Sequence, residues 1–396
     1  MLYLNFYDII DIITAISMQK EMAKIFTSRK RLLNTIDKKK TDRVPVSTYE
    51  LCARNSRSFE NNEPSYSGLM SFIKENTDAV TMWDLGSNGR FVNSSYAPDV
   101  KTDYGADGDY HVRRLTLNAN GRILTQTLKW SDNVKTTWNV EHICKDMKDV
   151  DALMNLPYEP VTYDASDYPR ISAETGDCGI IMSSVGDPVC SAVELMEFGD
   201  ATVWALTEAN HFKSVLDELH RRNMLNLKNM LETKTVDLYR ICGAEYITPP
   251  YLPPDCFEKF EYPYLCDTVK LIHKYGAKAR IHCHGKIRRV LDMIIDTGAD
   301  ALDPCEAPPD GDITLAELKE KTAGKLCIFG NLQLKLLECG SRDEVRDYVK
   351  NCMSSAKDGG GYIIMPTAAP INIPLSPKTE ANYRTFIETA LEFGQY

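Results

Sequence analysis

The stretch AKARIHCHGKIRRVLDMIIDTGADALDPCE (277–306) contains one full period of the fold. It opens with a β-like run, KARIHCHG. KIRRVLDMIIDTG follows, with Ile287, Val290, Leu291, Ile294 and Ile295 three and four residues apart, which predicts a helix with Gly298 near its stop. ADALD then reads as a second short apolar run. The same rhythm recurs on both sides. VDLYRICGAEYI (236–247), KLCIFGN (325–331) and GGYIIMPTA (360–368) read as strands. TLAELKEKTAG (314–324) and RDEVRDYVKNCMSSAKDGG (342–360) read as helices, with Gly324 and Gly359 at their ends.

Strand–helix alternation predicts a parallel sheet with helices on its faces. RVPVS (43–47), DAVTMWD (78–84) and CGIIMSSVG (178–186) extend the series to eight strands. The expected architecture is therefore α/β, a (β/α)8 TIM barrel. An open doubly wound sheet is the alternative, weakened because no Gly-x-Gly-x-x-Gly turn follows the first strand. Residues 90–140 break the rhythm. Turn signals at ADGD and NANG mark them as a β-rich hairpin insertion after the second strand, placed to cap the barrel mouth. The barrel domain is expected to span 22–396. Residues 1–21 read as an N-terminal extension: MLYLNFYDIIDIITAIS is apolar but lacks a basic start, and Asp8 and Asp11 make it a poor membrane span.

Composition narrows the function. The chain of 396 residues is 43% hydrophobic and 26% charged, the balance of a soluble globular protein. Its net charge of −10 argues against nucleic acid or an anionic membrane as partner. Twelve cysteines scattered through so long a chain suggest reduced thiols and a cytoplasmic location rather than a disulfide framework.

Side chains alternate along a strand, so His282 and His284 point one way and Cys283 the other. On a barrel strand the pair faces the lumen near the C-terminal end, where such enzymes keep their chemistry. Two imidazoles there can share a Zn²⁺. The alternative is a pair of hydrogen-bonded polar residues. The next strand also ends in donors, Asp303, Cys305 and Glu306, and Thr367 ends the last one. Pro304 obscures the local path, so alternation leaves Cys305 and Glu306 both open as the third ligand. Glu245 and Tyr246, at the end of the fourth strand, and Asn331 in FGNLQ are candidate catalytic residues; Asp84 and Asp187 read better as turn or cap residues.

RIHCHGKIRRVLDMIIDTGADALD, CIFGNLQ, YIIMPTAAPI and the opening SRKRLLNTIDKKKTDRVPVS resemble the uroporphyrinogen decarboxylase superfamily over residues 22–396. True decarboxylases of the superfamily carry an arginine-rich MRQAGRY-type segment after the first strand. Here that stretch is STYELCARNSRSFENNEPS, with only Arg54 and Arg57. The zinc-dependent corrinoid methyltransferase branch carries His-x-Cys-Gly after the fifth strand and a cysteine after the last. On that pattern His282 and Gly285 match, His284 stands at the cysteine position, and MPTAAP offers no final cysteine. The glutamate used by cobalamin-independent methionine synthase falls at Glu306. Two histidines and a carboxylate leave zinc more positive than thiolates do, hence a stronger Lewis acid, suited to an oxygen or nitrogen leaving group.

The resemblance thus implies a methyltransferase moving a methyl group from a small O- or N-methylated compound to the Co(I) of a corrinoid protein. A methylcorrinoid-to-thiol methyltransferase and a metal-free decarboxylase are its rivals, and a non-catalytic binding protein is a third. A homodimer is a further implication, since dimers are frequent in the superfamily.

Overall fold

The computed structural model describes residues 26–396, so the extension expected at 1–21 lies outside the described residues. Thirteen strands follow in chain order: β1 Ala79–Met82, β2 Gly86–Ser87, β3 Val100–Asp107, β4 Tyr110–Ala119, β5 Arg122–Ser131, β6 Val134–Glu141, β7 Tyr163–Asp164, β8 Gly179–Gly186, β9 Leu238–Cys242, β10 Lys278–Cys283, β11 Ala301–Pro304, β12 Cys327–Leu332 and β13 Tyr362–Pro366. Seven of them form one parallel sheet in the order β1-β8-β9-β10-β11-β12-β13. The strands are buried on both faces, which is why they read as apolar runs rather than as strict alternation.

The eighth strand expected at 43–47 is not part of that sheet. The segment makes a single parallel bridge, Val46 to Ile364 of β13, and Asp78 N–H donates to the Val46 carbonyl on the β1 side at 2.8 Å. Two causes keep it from becoming a ladder. Pro45 has no N–H to give, and the Val46 N–H is taken by the Asp78 side chain at 2.9 Å. The bridge nonetheless bonds to both edges of the curled sheet.

Inside the curl, inward-facing residues of the strands other than β10 pack into one apolar cluster: Val80, Ile180, Met182, Leu238, Phe329 and Met365 are among its members. The helix Ser28–Ile36 closes the N-terminal end by adding Leu32 and Ile36, four residues apart on one face. A second, larger cluster lies between the sheet and the outer helices. These include Leu291–Asp296, Leu315–Thr322 and Arg342–Ala356, all within segments read as helical from their spacing.

Between β1 and β8 the chain forms a separate antiparallel sheet of four strands in the order β3-β4-β5-β6. All twelve cysteines are free thiols. No helix among the described residues is long and apolar enough to cross a membrane.

Candidate functional site

Register carries the inward-facing residues of β9, β10 and β11 to one level. Arg240 pairs with Arg280, Cys242 with His282, and His282 with Asp303. The two histidines project together, their ring centroids 4.7 Å apart and their planes 86° to one another. Each ring rests on a carboxylate. His282 Nδ1 lies 2.9 Å from Asp303 Oδ2, and His284 Nδ1 lies 3.1 Å from Glu306 Oε1. Carboxylates at Nδ1 fix the tautomer and leave Nε2 as the presented nitrogen. Gly285, at a φ of 92° that favours glycine, turns the strand end so that its N–H donates to Glu306 Oε2 at 3.0 Å.

The charges around the pair are enclosed. Asp303 is fully buried, and burial by itself would raise its pKa. The Arg280 charge and His282 outweigh that and hold the carboxyl at about 2. Arg280 Nε sits 2.9 Å from Asp303 Oδ1, close but poorly aligned for a hydrogen bond, and its guanidinium lies 4.8 Å from the Phe329 ring centroid. Burial works against the charge on His284, yet the Glu306 hydrogen bond and charge win, and the net shift is upward. Glu306 is correspondingly lowered. Tyr49 packs between the groups, 6.3 Å from the His282 ring and 5.6 Å from the Arg240 guanidinium, which also reaches Glu50 at 3.0 Å.

Of the expected site residues, His282, His284 and Glu306 are therefore brought together. Cys305 is not. Its backbone is left-handed (φ 59°), which breaks strand alternation after Pro304, and its buried thiol is turned to the Leu302 carbonyl at 3.5 Å. Burial raises that thiol well above the ordinary range, so it is a poor thiolate donor. Asn331 is also drawn away: Gly330 at φ 155° interrupts alternation, and the amide donates to the Cys305 carbonyl at 3.0 Å and accepts from the Cys352 thiol of an outer helix at 3.6 Å. Thr367 Oγ1 accepts from the Leu334 N–H at 3.3 Å. Glu245 and Tyr246 stand half-buried on a short turn just after β9. Glu245 accepts from the Gly243 N–H at 3.2 Å, and its charge acts on His284. Tyr246 packs on Phe198 with ring centroids 5.8 Å apart, and burial raises its hydroxyl.

Arg240 and Arg280 were missed by the sequence reading, although each stands two residues before an inward-facing position, Cys242 and His282. Arg54 and Arg57 turn elsewhere: Arg54 donates to the Lys74 carbonyl and Arg57 pairs with Asp167. Asp84 accepts from Ser183 Oγ and the Ser184 N–H, both at 2.8 Å, and Asp187 caps the helix Pro188–Val193.

As a metal centre the group offers two imidazole nitrogens with carboxylate-set tautomers, the chemistry of an open divalent site. Among the described residues no three His, Cys, Asp or Glu side chains are already gathered as ligands. Glu306 supports His284 in this arrangement, with one oxygen on the ring and the other on Gly285. The donor set thus fits an ion bound by the two histidines, with Asp303 and Glu306 behind the rings at Nδ1.

Behind β9, Asp187 and Glu261 form a buried carboxyl pair with no salt-bridged cation among the described residues. Burial, with the nearby Glu245 charge, raises Asp187 to about 7, and burial with the Asp187 charge raises Glu261 well above its ordinary range. The folded pair therefore holds protons that the unfolded chain releases near pH ~4, and stability should fall as pH rises from there to about 7. Glu261→Gln is expected to flatten that slope and to stabilise the protein at pH 8 by on the order of 1–3 kcal/mol, with the gain vanishing at low pH. Thermal melts across the range read it directly, and an unchanged slope would count against a shared proton.

Comparison with known proteins agrees with this architecture. A family model described as Uroporphyrinogen decarboxylase (URO-D) matches residues 127–391, about two-thirds of the chain. No curated protein matches by sequence. Among solved structures, a methyltransferase from Methanosarcina mazei is similar with a TM-score of 0.59 at 15% identity, covering 93% of this chain and 99% of that one. Likeness at that identity reports a shared fold.

Proposed function

Because the chain belongs to the uroporphyrinogen decarboxylase (URO-D) family, we propose that its paired histidines are the working centre of a methyltransferase. The methyl group would leave a small O- or N-methylated compound, such as an aryl methyl ether, for the Co(I) of a corrinoid on a partner protein docked over the open end of the sheet. The observation that carries this reading is the pair itself: two imidazoles on one side of β10, each with Nδ1 on a carboxylate and Nε2 unengaged.

His282 and His284 would hold Zn²⁺, which when bound supplies a Lewis acid for the heteroatom that loses the methyl group. Asp303 and Glu306 keep both rings in the tautomer that presents Nε2. Tyr49 and Arg240 wall the group from the side. The departing heteroatom must take up a proton as the carbon–heteroatom bond breaks. Tyr246, its hydroxyl kept protonated by burial, is the chain's hydrogen-bond donor beside Glu245.

The experiment is a methyl-transfer assay with a reduced corrinoid protein and a panel of methoxyaromatics and N-methyl compounds, followed by the absorbance change at cobalt. Wild-type protein should transfer from at least one donor, and His282→Ala should not. Transfer undiminished in His282→Ala would remove the pair from the reaction. A methylcorrinoid and thiol pair in the same assay tests the opposite direction.

A second reading, decarboxylation of a polycarboxylate, is favoured by one observation: Arg240 and Arg280 face the lumen from neighbouring strands. Their neighbours Glu50, Tyr49 and Asp303 already occupy much of that charge. Release of CO₂ from a polycarboxylate by metal-stripped protein would favour it over methyl transfer.

A further inference from the structure

The four-stranded sheet does not carry an apolar face throughout. Leu117 and Leu124 pair across β4 and β5 and are buried. The next row is Thr102, Leu115 and Gln126, and Arg113 follows two residues along β4 on the same face. There the sheet stands away from the rest of the molecule and leaves a cavity of about 880 Å³. Val100 and Leu115 supply apolar wall, Gln126 and His142 supply polar groups, and Arg90 reaches in from the loop before β3.

Neither Arg90 nor Arg113 has a carboxylate within 4 Å among the described residues, and Arg113 Nε is buried without a hydrogen-bond partner. Glu194, the acidic residue on the wall, is out of ion-pair range of both. Its carboxyl is raised by burial, which weakens its repulsion of an incoming anion. Arg113 is a half-buried guanidinium without an anion, which is costly to maintain, and the exposed Arg90 adds a second positive charge beside the same cavity. Guanidinium groups bind planar carboxylate and phosphate oxygens through paired N–H donors. The volume suits a small organic molecule.

We propose that this cavity binds a small organic anion, an apolar body bearing a carboxylate or phosphate, held by Arg113 and Arg90. None of His282, His284 or Glu306 lines it, so the site stands apart from the histidine centre and does not depend on the reading of that centre.

Titration calorimetry on the full chain tests it, with benzoate and phenyl phosphate as anions and benzamide as the neutral analogue. One or both anions should bind, the better one showing which anionic group is preferred, and benzamide should not. Arg113→Gln and Arg90→Gln should each weaken binding at least about tenfold, the effect of losing one charge-assisted contact. Arg114→Gln, an exposed arginine on the opposite face of the same strand, should leave it unchanged. Thermal melts confirm that the variants fold. Absence of binding by either anion, equal binding of benzamide, or an equal loss in Arg114→Gln would overturn the proposal.

Discussion

Asp303→Ala should lower the stability of the protein by about 3–5 kcal/mol, the cost of stripping one partner from a buried ion pair. Asp303 is wholly buried and Arg280 is 1% exposed, so no water can replace the lost carboxylate. The orphaned guanidinium would face Arg240, its register partner on β9, and like charge would add to the desolvation cost. The Phe329 ring offsets only part of it. His282 would lose its Nδ1 partner in the same step, so loss of stability and loss of ring orientation should appear together. Chemical denaturation measures the first. A midpoint within the error of wild type would show that the carboxylate is not balancing Arg280.

The same carboxylate has a pH signature. Its pKa lies below that of the unfolded chain, so its contribution is complete above pH ~4. It fades as pH falls from there through about 2. The gap between wild type and variant should close on acidification and stay constant above neutrality.

The second large effect concerns Glu306. Glu306→Gln preserves shape but removes the charge that holds His284 and leaves one acceptor oxygen where His284 and the Gly285 N–H use two. Loss of an orienting carboxylate behind a ligating imidazole typically weakens metal affinity about 10–100-fold. The variant should fold normally and require that much more zinc in a competition titration against a chromophoric chelator. Unaltered affinity would remove Glu306 from the centre. Cys305→Ser, by contrast, should leave affinity unchanged, because its thiol faces the Leu302 carbonyl.

The parts of the fold legible in the sequence were those with one physical cause. Strands covered on both faces must be continuously apolar, so β8 to β13 stand out. Helices between them need apolar residues three and four apart, and they have them. The segment at 43–47 reads the same way, but a side-chain carboxylate takes the Val46 N–H that a ladder would use, and no propensity reports that. At the site, alternation suffices where the backbone stays extended, which places His282 beside His284. It fails at Cys305, where the backbone turns left-handed, and at Asn331, where Gly330 redirects the chain. Arg240 and Arg280 obey alternation and were legible in principle. Only the Asp303 carboxylate on the neighbouring strand explains how Arg280 can be buried in the lumen.

The central claim is that His282 and His284 hold a metal ion. Elemental analysis of the purified full chain, alongside the His282→Ala, His284→Ala double variant with its fold checked by circular dichroism, tests it most directly. The account predicts one zinc per chain in the wild type and none in the folded variant. Zinc retained by that variant, or wild-type protein that stays metal-free after incubation with excess zinc, would contradict it.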